Sequence, residues 1–119
     1  MAFFYDRNAF WHNYDIPNLR IVVLNNHGGI IFKMIDGPGT VPESEEYFVT
    51  RQKLNANYLC QEFGFSHLKL DSKRKMKNLI KDFFDFDGKT KILELESDSA
   101  LNKNIFENFK QKIKNSYEA

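Results

Sequence analysis

The chain has 119 residues, a formal net charge of +1 and one cysteine, and 28% of its residues are charged. A chain of this length builds one domain, its balanced charge gives no electrostatic reason to bind nucleic acid or an anionic membrane, and its lone cysteine excludes an intramolecular disulfide. Its longest aliphatic run, residues 21–24, is far shorter than the roughly 20 residues of a membrane span, so we expect a cytoplasmic protein without a membrane segment.

The first part of the chain predicts a helix, a strand and a loop. Asp6 suits the N-cap of a short helix within residues 6–14, and Pro17 separates this helix from the next element. The aliphatic run in Arg20–Asn25 predicts a strand that is buried on both faces. The Gly- and Pro-rich segment 36–46 ends in acidic residues without an apolar period, which predicts a mobile loop.

Helices and strands alternate along the rest of the chain. The apolar residues at helical spacing are Ala56, Leu59, Cys60 and Phe63, then Met76, Leu79, Ile80, Phe83 and Phe84, and finally Ile105, Phe106, Phe109 and Ile113. Gly64 and Gly88 end the first two helical segments. Ser66–Leu70 and Lys91–Glu96 read as strands. This alternation predicts an α/β fold with a small parallel sheet flanked by helices.

The turn after the first strand carries the clearest sign of a ligand site. Asn25 and Asn26 lie at the carboxyl end of a predicted parallel strand, where such sheets bind ligands. An amide oxygen is a hard ligand that suits magnesium, and Gly28 and Gly29 let a main-chain carbonyl turn toward the same ion. A helical turn over residues 29–33 would point free N–H groups at phosphate oxygens. The pattern therefore suits a magnesium diphosphate, although the same residue types are typical of an ordinary turn.

Other chemically capable residues give weaker signals. His12, His27 and His67 are too scattered for a metal triad. Cys60 lies on an apolar helical face without a basic cluster nearby, which predicts an inert core thiol. The lysines of the last two helices are typical of solvated helix faces.

The segment MAFFYDRNAFWHNYDIPNLRIVVLNNHGGIIFKMIDGPG, residues 1–39, resembles the C-terminal region of the 2-succinyl-5-enolpyruvyl-6-hydroxy-3-cyclohexene-1-carboxylate synthases, the thiamine-diphosphate enzymes of menaquinone biosynthesis. The resemblance extends over the whole chain and implies a truncated three-layer, diphosphate-binding fold, so that residues 1–119 are one partial domain. It places magnesium ligands at the Asn26 side chain and the Gly28 carbonyl, and it implies cofactor contacts from Asn26, Gly28, Gly29, Ile31 and Phe32.

The resemblance also implies a reaction. Enzymes of this family use thiamine diphosphate and Mg²⁺ to decarboxylate 2-oxoglutarate, and they add the resulting succinic semialdehyde carbanion to isochorismate. The chain departs from the family pattern because the Gly-Asp pair of the metal motif and the glutamate that activates the cofactor are missing, and Ile30 replaces a glycine or polar residue. We therefore expect a C-terminal fragment with no catalytic residue of its own, no activity and weak cofactor binding.

The resemblance further implies the order of strands. Arg20–Asn25 should lie at one edge, Lys91–Glu96 in the centre and Ser66–Leu70 at the other edge. Because the aliphatic first strand would then expose an unprotected edge, we expect the chain to form a homo-oligomer. Two other classes stay open from the residues alone: a non-catalytic interaction domain, and a small flavodoxin-like module that binds another phosphate.

Overall fold

The computed structural model describes residues 2–12, 14–35 and 37–118. Its helices are α1 (Ala2–Tyr5), α2 (Ile31–Met34), α3 (Ser44–Tyr47), α4 (Ala56–Phe63), α5 (Met76–Phe84) and α6 (Ser99–Tyr117). Its strands are β1 (Arg20–Asn25), β2 (Ser66–Leu70) and β3 (Lys91–Glu96), and single 3-10 turns cover Arg7–Phe10 and Lys73–Lys75. Within the described ranges, no helix combines the length and the apolar character that crossing a bilayer requires.

The chain divides into two compact units. The first holds the described residues of 1–25 and 54–96, including the three strands, α4 and α5. The second holds those of 26–53 and 97–119, including α2, α3 and α6. The division falls between Asn25 and Asn26, so the two asparagines of the pair belong to different units. The single partial domain over residues 1–119 stays a prediction.

The strands form one parallel sheet in the order β1-β3-β2. Leu93 of β3 is in register with Val22 of β1 on one side and with Leu68 of β2 on the other. The observed order confirms the predicted order, and all three strands have the predicted bounds. The central position of β3 explains why its first four residues are all buried.

Helix α4 covers one face of the sheet. Its N-cap is Asn55, whose side chain accepts a hydrogen bond from Asn57 N, and it ends at Gly64, whose φ of 70° is left-handed. The buried side of α4 packs with Val23 and Ile92 of the sheet and comprises Ala56, Leu59 and Cys60, three of the residues predicted for this face.

Helix α5 covers the opposite face. Lys91 begins β3, and its ammonium group donates to the carbonyls of Asp82 at 2.7 Å and Asp85 at 2.8 Å, near the C-terminal end of α5. Successive residues of a strand point to opposite faces, so Lys91 faces α5 whereas Ile92 faces α4. The first unit therefore has helix, sheet and helix layers, which confirms the predicted α/β class with a small, helix-flanked parallel sheet.

Strand β1 differs from its prediction in burial. Val23 is buried on the α4 side, but Val22 is 54% exposed and Leu24 is 74% exposed. The expectation of burial on both faces was wrong because β1 is an edge strand that is covered mainly on one face. Its aliphatic composition resembles that of a central strand, and sequence periodicity does not separate the two cases.

The helix predicted within residues 6–14 was also wrong in its form. The chain instead makes the one-turn helix α1 and a 3-10 turn at Arg7–Phe10, and the Asp6 side chain makes no capping hydrogen bond. At the end of this turn the ring of Phe10 contacts those of Phe63 and Phe65, with centroid separations of 5.8 and 5.3 Å. Asn13, within the predicted helix, lies outside the described residues.

The segment 36–46 is not a loop throughout. Helix α3 begins at Ser44 inside its acidic end, and the Thr40 hydroxyl donates to the Gly37 carbonyl in a turn. Asp36 lies outside the described residues, and the mobility of the segment stays a prediction.

Helix α6 has a well-defined start and an open apolar face. The Asp98 carboxylate accepts a hydrogen bond from Leu101 N at 2.8 Å and caps the helix. Of the predicted apolar face, Phe106 is half-buried, whereas Ile105 and Phe109 are each 57% exposed.

Candidate functional site

The predicted magnesium turn begins where β1 ends. Asn25 follows the alternation of the strand and points to the interior, where its Nδ2 donates to Leu54 O at 2.9 Å and to Glu94 Oε1 at 2.7 Å. Asn26, the next residue, is half-buried, and its Oδ1 accepts a hydrogen bond from Gly28 N at 3.2 Å. The two amides therefore have different surroundings, and Asn26 is the one that shapes the turn.

The backbone of the turn is unusual at His27 rather than at the glycines. His27 has a φ of 55°, in the left-handed region that non-glycine residues rarely adopt, and its carbonyl accepts a hydrogen bond from Gln52 N at 3.0 Å. Gly28 is buried, and an added Cβ would lie 3.2 Å from Val49 Cγ1. Gly29 has open space at the same position. A side chain at Gly28 would therefore require Val49 to shift by a few tenths of an ångström, whereas one at Gly29 would meet no steric obstacle.

The residues after the turn form α2, a single helical turn. In this turn Lys33 N donates a hydrogen bond to Ile30 O at 2.9 Å. Ile31 is 63% exposed, whereas Phe32 is half-buried with its ring centroid 5.3 Å from that of Phe48. The two predicted apolar contacts therefore differ, since Phe32 is already packed and Ile31 is not.

The turn opens into a cleft of about 610 Å³ within the second unit. Its lining residues are Asn26, His27, Gly28, Lys33, Glu45, Val49, Arg51, Gln52, Lys53 and residues 97–100. The structure thus brings Asn26 and Gly28 together at one cleft. Gly29, Ile31 and Phe32 are not among its lining residues.

The cleft carries more positive than negative charge. Three of its lining side chains are cations, Lys33, Arg51 and Lys53, against the two carboxylates Glu45 and Asp98. Glu45 forms ion pairs with Lys33 and with Arg51, the latter at 2.6 Å. Hydrogen bonds from Lys33 and then from Arg51 hold the pKa of the Glu45 carboxyl below its usual value. The arrangement favours an anionic ligand.

Several curated proteins that the chain matches are synthases of one name. The chain is 49% identical over 117 residues to the 2-succinyl-5-enolpyruvyl-6-hydroxy-3-cyclohexene-1-carboxylate synthase of Cytophaga hutchinsonii, a match that covers 98% of this chain and 21% of that protein. It is 37% identical over 105 residues to the synthase of the same name from Christiangramia forsetii, covering 88% of this chain and 18% of the relative. The chain is homologous to one part of these synthases.

The match has a defined extent. The synthase of Bacteroides thetaiotaomicron is 30% identical over 118 residues, covering 94% of this chain and 21% of that protein. The chain therefore spans about a fifth of the length of the curated synthases it matches. No protein-family model matches it.

A second polar cluster in this synthase-like chain was missed by sequence reasoning. Glu94 lies in the central strand with 1% of its surface exposed. Its Oε1 accepts from Asn25 Nδ2, while its Oε2 accepts from Ala56 N at 3.2 Å and lies 2.8 Å from His67 Nε2. The one available signal was a glutamate among buried positions of a central strand, since an interior carboxylate needs partners. The cluster ties the end of β1 to the start of α4.

The predicted inert thiol agrees with the structure. Cys60 is buried, and burial, followed by the nearby charge of Glu94, raises the pKa of its thiol to about 11. Among the described residues, no group of three or more His, Cys, Asp or Glu side chains is placed to hold a metal ion. The oxygens that the Asn26 turn offers to a metal ion are the neutral oxygens of the Asn26 side chain and of the backbone carbonyls.

Proposed function

We propose that this chain supplies part of the cofactor site of a thiamine-diphosphate- and magnesium-dependent transferase of menaquinone biosynthesis. This synthase decarboxylates 2-oxoglutarate and joins the product to isochorismate. The observation that carries the proposal is the 49% identity to the Cytophaga hutchinsonii synthase across 98% of the chain. Because the chain spans about a fifth of that relative, the activity belongs to a synthase-length protein, and we expect the chain by itself to be inactive.

The donors at the turn suit magnesium. Asn26 Oδ1 accepts one hydrogen bond, from Gly28 N, and an amide oxygen has a second lone pair to offer a cation. The Gly28 carbonyl would supply a second neutral oxygen. Hard oxygen ligands of this kind match Mg²⁺, which commonly keeps several waters and completes its shell with phosphate oxygens.

The surroundings of the turn suit the diphosphate. The cleft that contains Asn26 and Gly28 has an excess of cationic side chains, which lowers the electrostatic free energy of a bound anion. In this proposal Gly29 gives the backbone room beside the cofactor, and Ile31 and Phe32 provide apolar contacts to it. Thiamine diphosphate, when bound, supplies the electron sink for decarboxylation. The residues of this chain bind it, orient it and exclude water.

Magnesium-dependent binding of thiamine diphosphate to the purified chain tests the proposal. Calorimetry should give a dissociation constant of about 1 mM or weaker, because the turn offers neutral ligands without carboxylate help. Asn26→Ala should abolish this binding. Asn26→Asp should strengthen it, because aspartate keeps an acceptor for Gly28 N and adds a charged magnesium ligand.

Asn108→Ala is the matched control, since Asn108 is an exposed residue of α6 that does not line the cleft, and it should bind like the unchanged chain. Micromolar binding that survives Asn26→Ala would place the cofactor elsewhere. Equal affinity in the unchanged chain and Asn26→Asp would leave Asn26 with a role in the turn alone.

A further inference from the structure

One carboxylate in the second unit is held between two cations. Glu45, on the one-turn helix α3, contacts the Lys33 ammonium through Oε1 and the Arg51 guanidinium through Oε2, the second at 2.6 Å. The three side chains come from separate parts of segment 26–53, and all of them line the cleft beside the Asn26 turn. Two cations that converge on one oxyanion are the arrangement that proteins use to bind carboxylates and phosphates.

The burial of the three partners is unequal. The Lys33 side chain is only 12% exposed, whereas Glu45 is 46% exposed and Arg51 is 75% exposed. A lysine that is largely removed from water needs an oxyanion partner, because burying an unpaired charge is costly. Its present partner is half in solvent, and ion pairs of this kind contribute little to stability. Lys33 thus needs an anion, but it has no strong requirement for this particular carboxylate.

Glu45 lies on a short helix. Helix α3 has one turn and no side-chain cap at its start. Lys53 lines the same cleft and forms no side-chain ion pair among the described residues, so it adds positive charge for an incoming ligand.

We propose that Lys33 and Arg51 form a magnesium-independent oxyanion site, which Glu45 occupies as an internal carboxylate until a phosphate or carboxylate group of a ligand displaces it. The site is separate from the magnesium ligands of the turn and does not require the proposed cofactor. The planar guanidinium of Arg51 binds two oxygens of one group, while the ammonium of Lys33 acts as a fixed point charge at the base of the cleft.

The test is a pair of NMR titrations of the ¹⁵N-labelled full chain in EDTA at constant ionic strength, one with inorganic diphosphate and one with succinate. Either probe should shift the Arg51 Nε and Lys33 amide signals. Glu45→Gln removes the internal competitor and should bind the probe about threefold to tenfold more tightly than the unchanged chain, the range expected for losing one or two exposed ion pairs. Lys33→Met and Arg51→Met should each weaken binding at least about threefold.

Matched variants separate local contacts from net charge. Glu46→Gln makes the same charge change on the same helix, and Glu46 forms no side-chain ion pair among the described residues. Lys112→Met removes a lysine of α6 that does not line the cleft. Both should stay within about twofold of the unchanged chain. Because Arg51 is mostly exposed, its variant should keep the native spectrum and thus report binding rather than folding.

The outcomes divide clearly. Binding of diphosphate alone identifies a phosphate site, and binding of succinate alone identifies a carboxylate site. Binding of both probes identifies a general oxyanion site. Each of these results supports the proposal when Glu45→Gln binds the probe more tightly than the unchanged chain. No binding of either probe, or no difference between Glu45→Gln and Glu46→Gln, overturns it. Because these titrations are run in EDTA, their result is distinct from that of the magnesium-dependent cofactor test, and either one can fail without the other.

Discussion

Replacing Glu94 by glutamine tests whether the interior carboxylate organises the first unit. Two of its contacts are with groups that can only donate: Asn25 Nδ2 at Oε1 and Ala56 N at Oε2. A glutamine has one acceptor oxygen and one NH₂ group. Whichever way its amide turns, the NH₂ faces either the Asn25 amide or the Ala56 N–H, so one buried donor opposes another. The substitution is close to isosteric, and its effect therefore reports polarity rather than volume.

The magnitude follows from these contacts. Leaving one buried donor without an acceptor costs about 1–3 kcal/mol, and the remaining hydrogen bonds lose the extra strength of a charged acceptor. We expect Glu94→Gln to lower the free energy of unfolding by about 2–4 kcal/mol. For a chain of this length that corresponds to a fall in Tm of roughly 10 °C. Glu94→Leu, which removes every acceptor, should cost at least as much.

Urea and thermal unfolding followed by circular dichroism measure both quantities. Glu107→Gln is the control, because the Glu107 carboxylate is exposed and lies 3.8 Å from Lys103 Nζ in a helical ion pair. It should change stability by less than about 0.5 kcal/mol. If Glu94→Gln were as stable as Glu107→Gln, the buried carboxylate would not organise the ends of β1 and α4, and the reasoning would fail.

Two further predictions concern the first unit. Because burial raises the pKa of Cys60 to about 11, its thiolate fraction at pH 8 should be roughly 100-fold lower than that of an unperturbed thiol, and labelling with a thiol reagent should require unfolding. Labelling of the native chain at the rate of a free thiol would contradict this. The exposed Val22 and Leu24 on edge strand β1 should promote self-association, which Leu24→Lys should reduce in sedimentation velocity while Tyr117→Ser, another exposed position, should not. A sedimentation coefficient of the unchanged chain that does not vary with concentration would refute it.

The elements that could be predicted from sequence are those whose signals are local. Helix α4 carries an asparagine cap at Asn55, an apolar face and a left-handed Gly64 within ten residues, and the structure uses all three. Strands β2 and β3 are bounded by turns and have short apolar patterns that periodicity detects. The order of the strands is not a local property, and it was predicted from the resemblance to the synthases rather than from the pattern.

The features that sequence reasoning missed depend on contacts between distant residues. Glu94 meets Asn25 across 69 residues, Ala56 across 38 and His67 across 27. Within its own strand nothing distinguishes it from a solvated glutamate, and only the central position of that strand in the sheet indicates an interior carboxylate. Glu45 likewise lies in a segment without an apolar period, and its ion pairs with Lys33 and Arg51 emerge only when the chain folds back on itself.

The Asn25-Asn26 pair shows how one strand end can serve two purposes. Asn25 is the last residue of β1, so the pleat directs its amide to the α4 side, where it joins Leu54 and Glu94. Asn26 lies one residue beyond the strand, and its amide oxygen closes the turn onto Gly28. The two asparagine side chains thus have different partners, because successive side chains point to opposite sides of the sheet at the end of the strand. It follows that Asn25→Ala should act on stability through Glu94, whereas Asn26→Ala should act on the turn and on the proposed magnesium ligand.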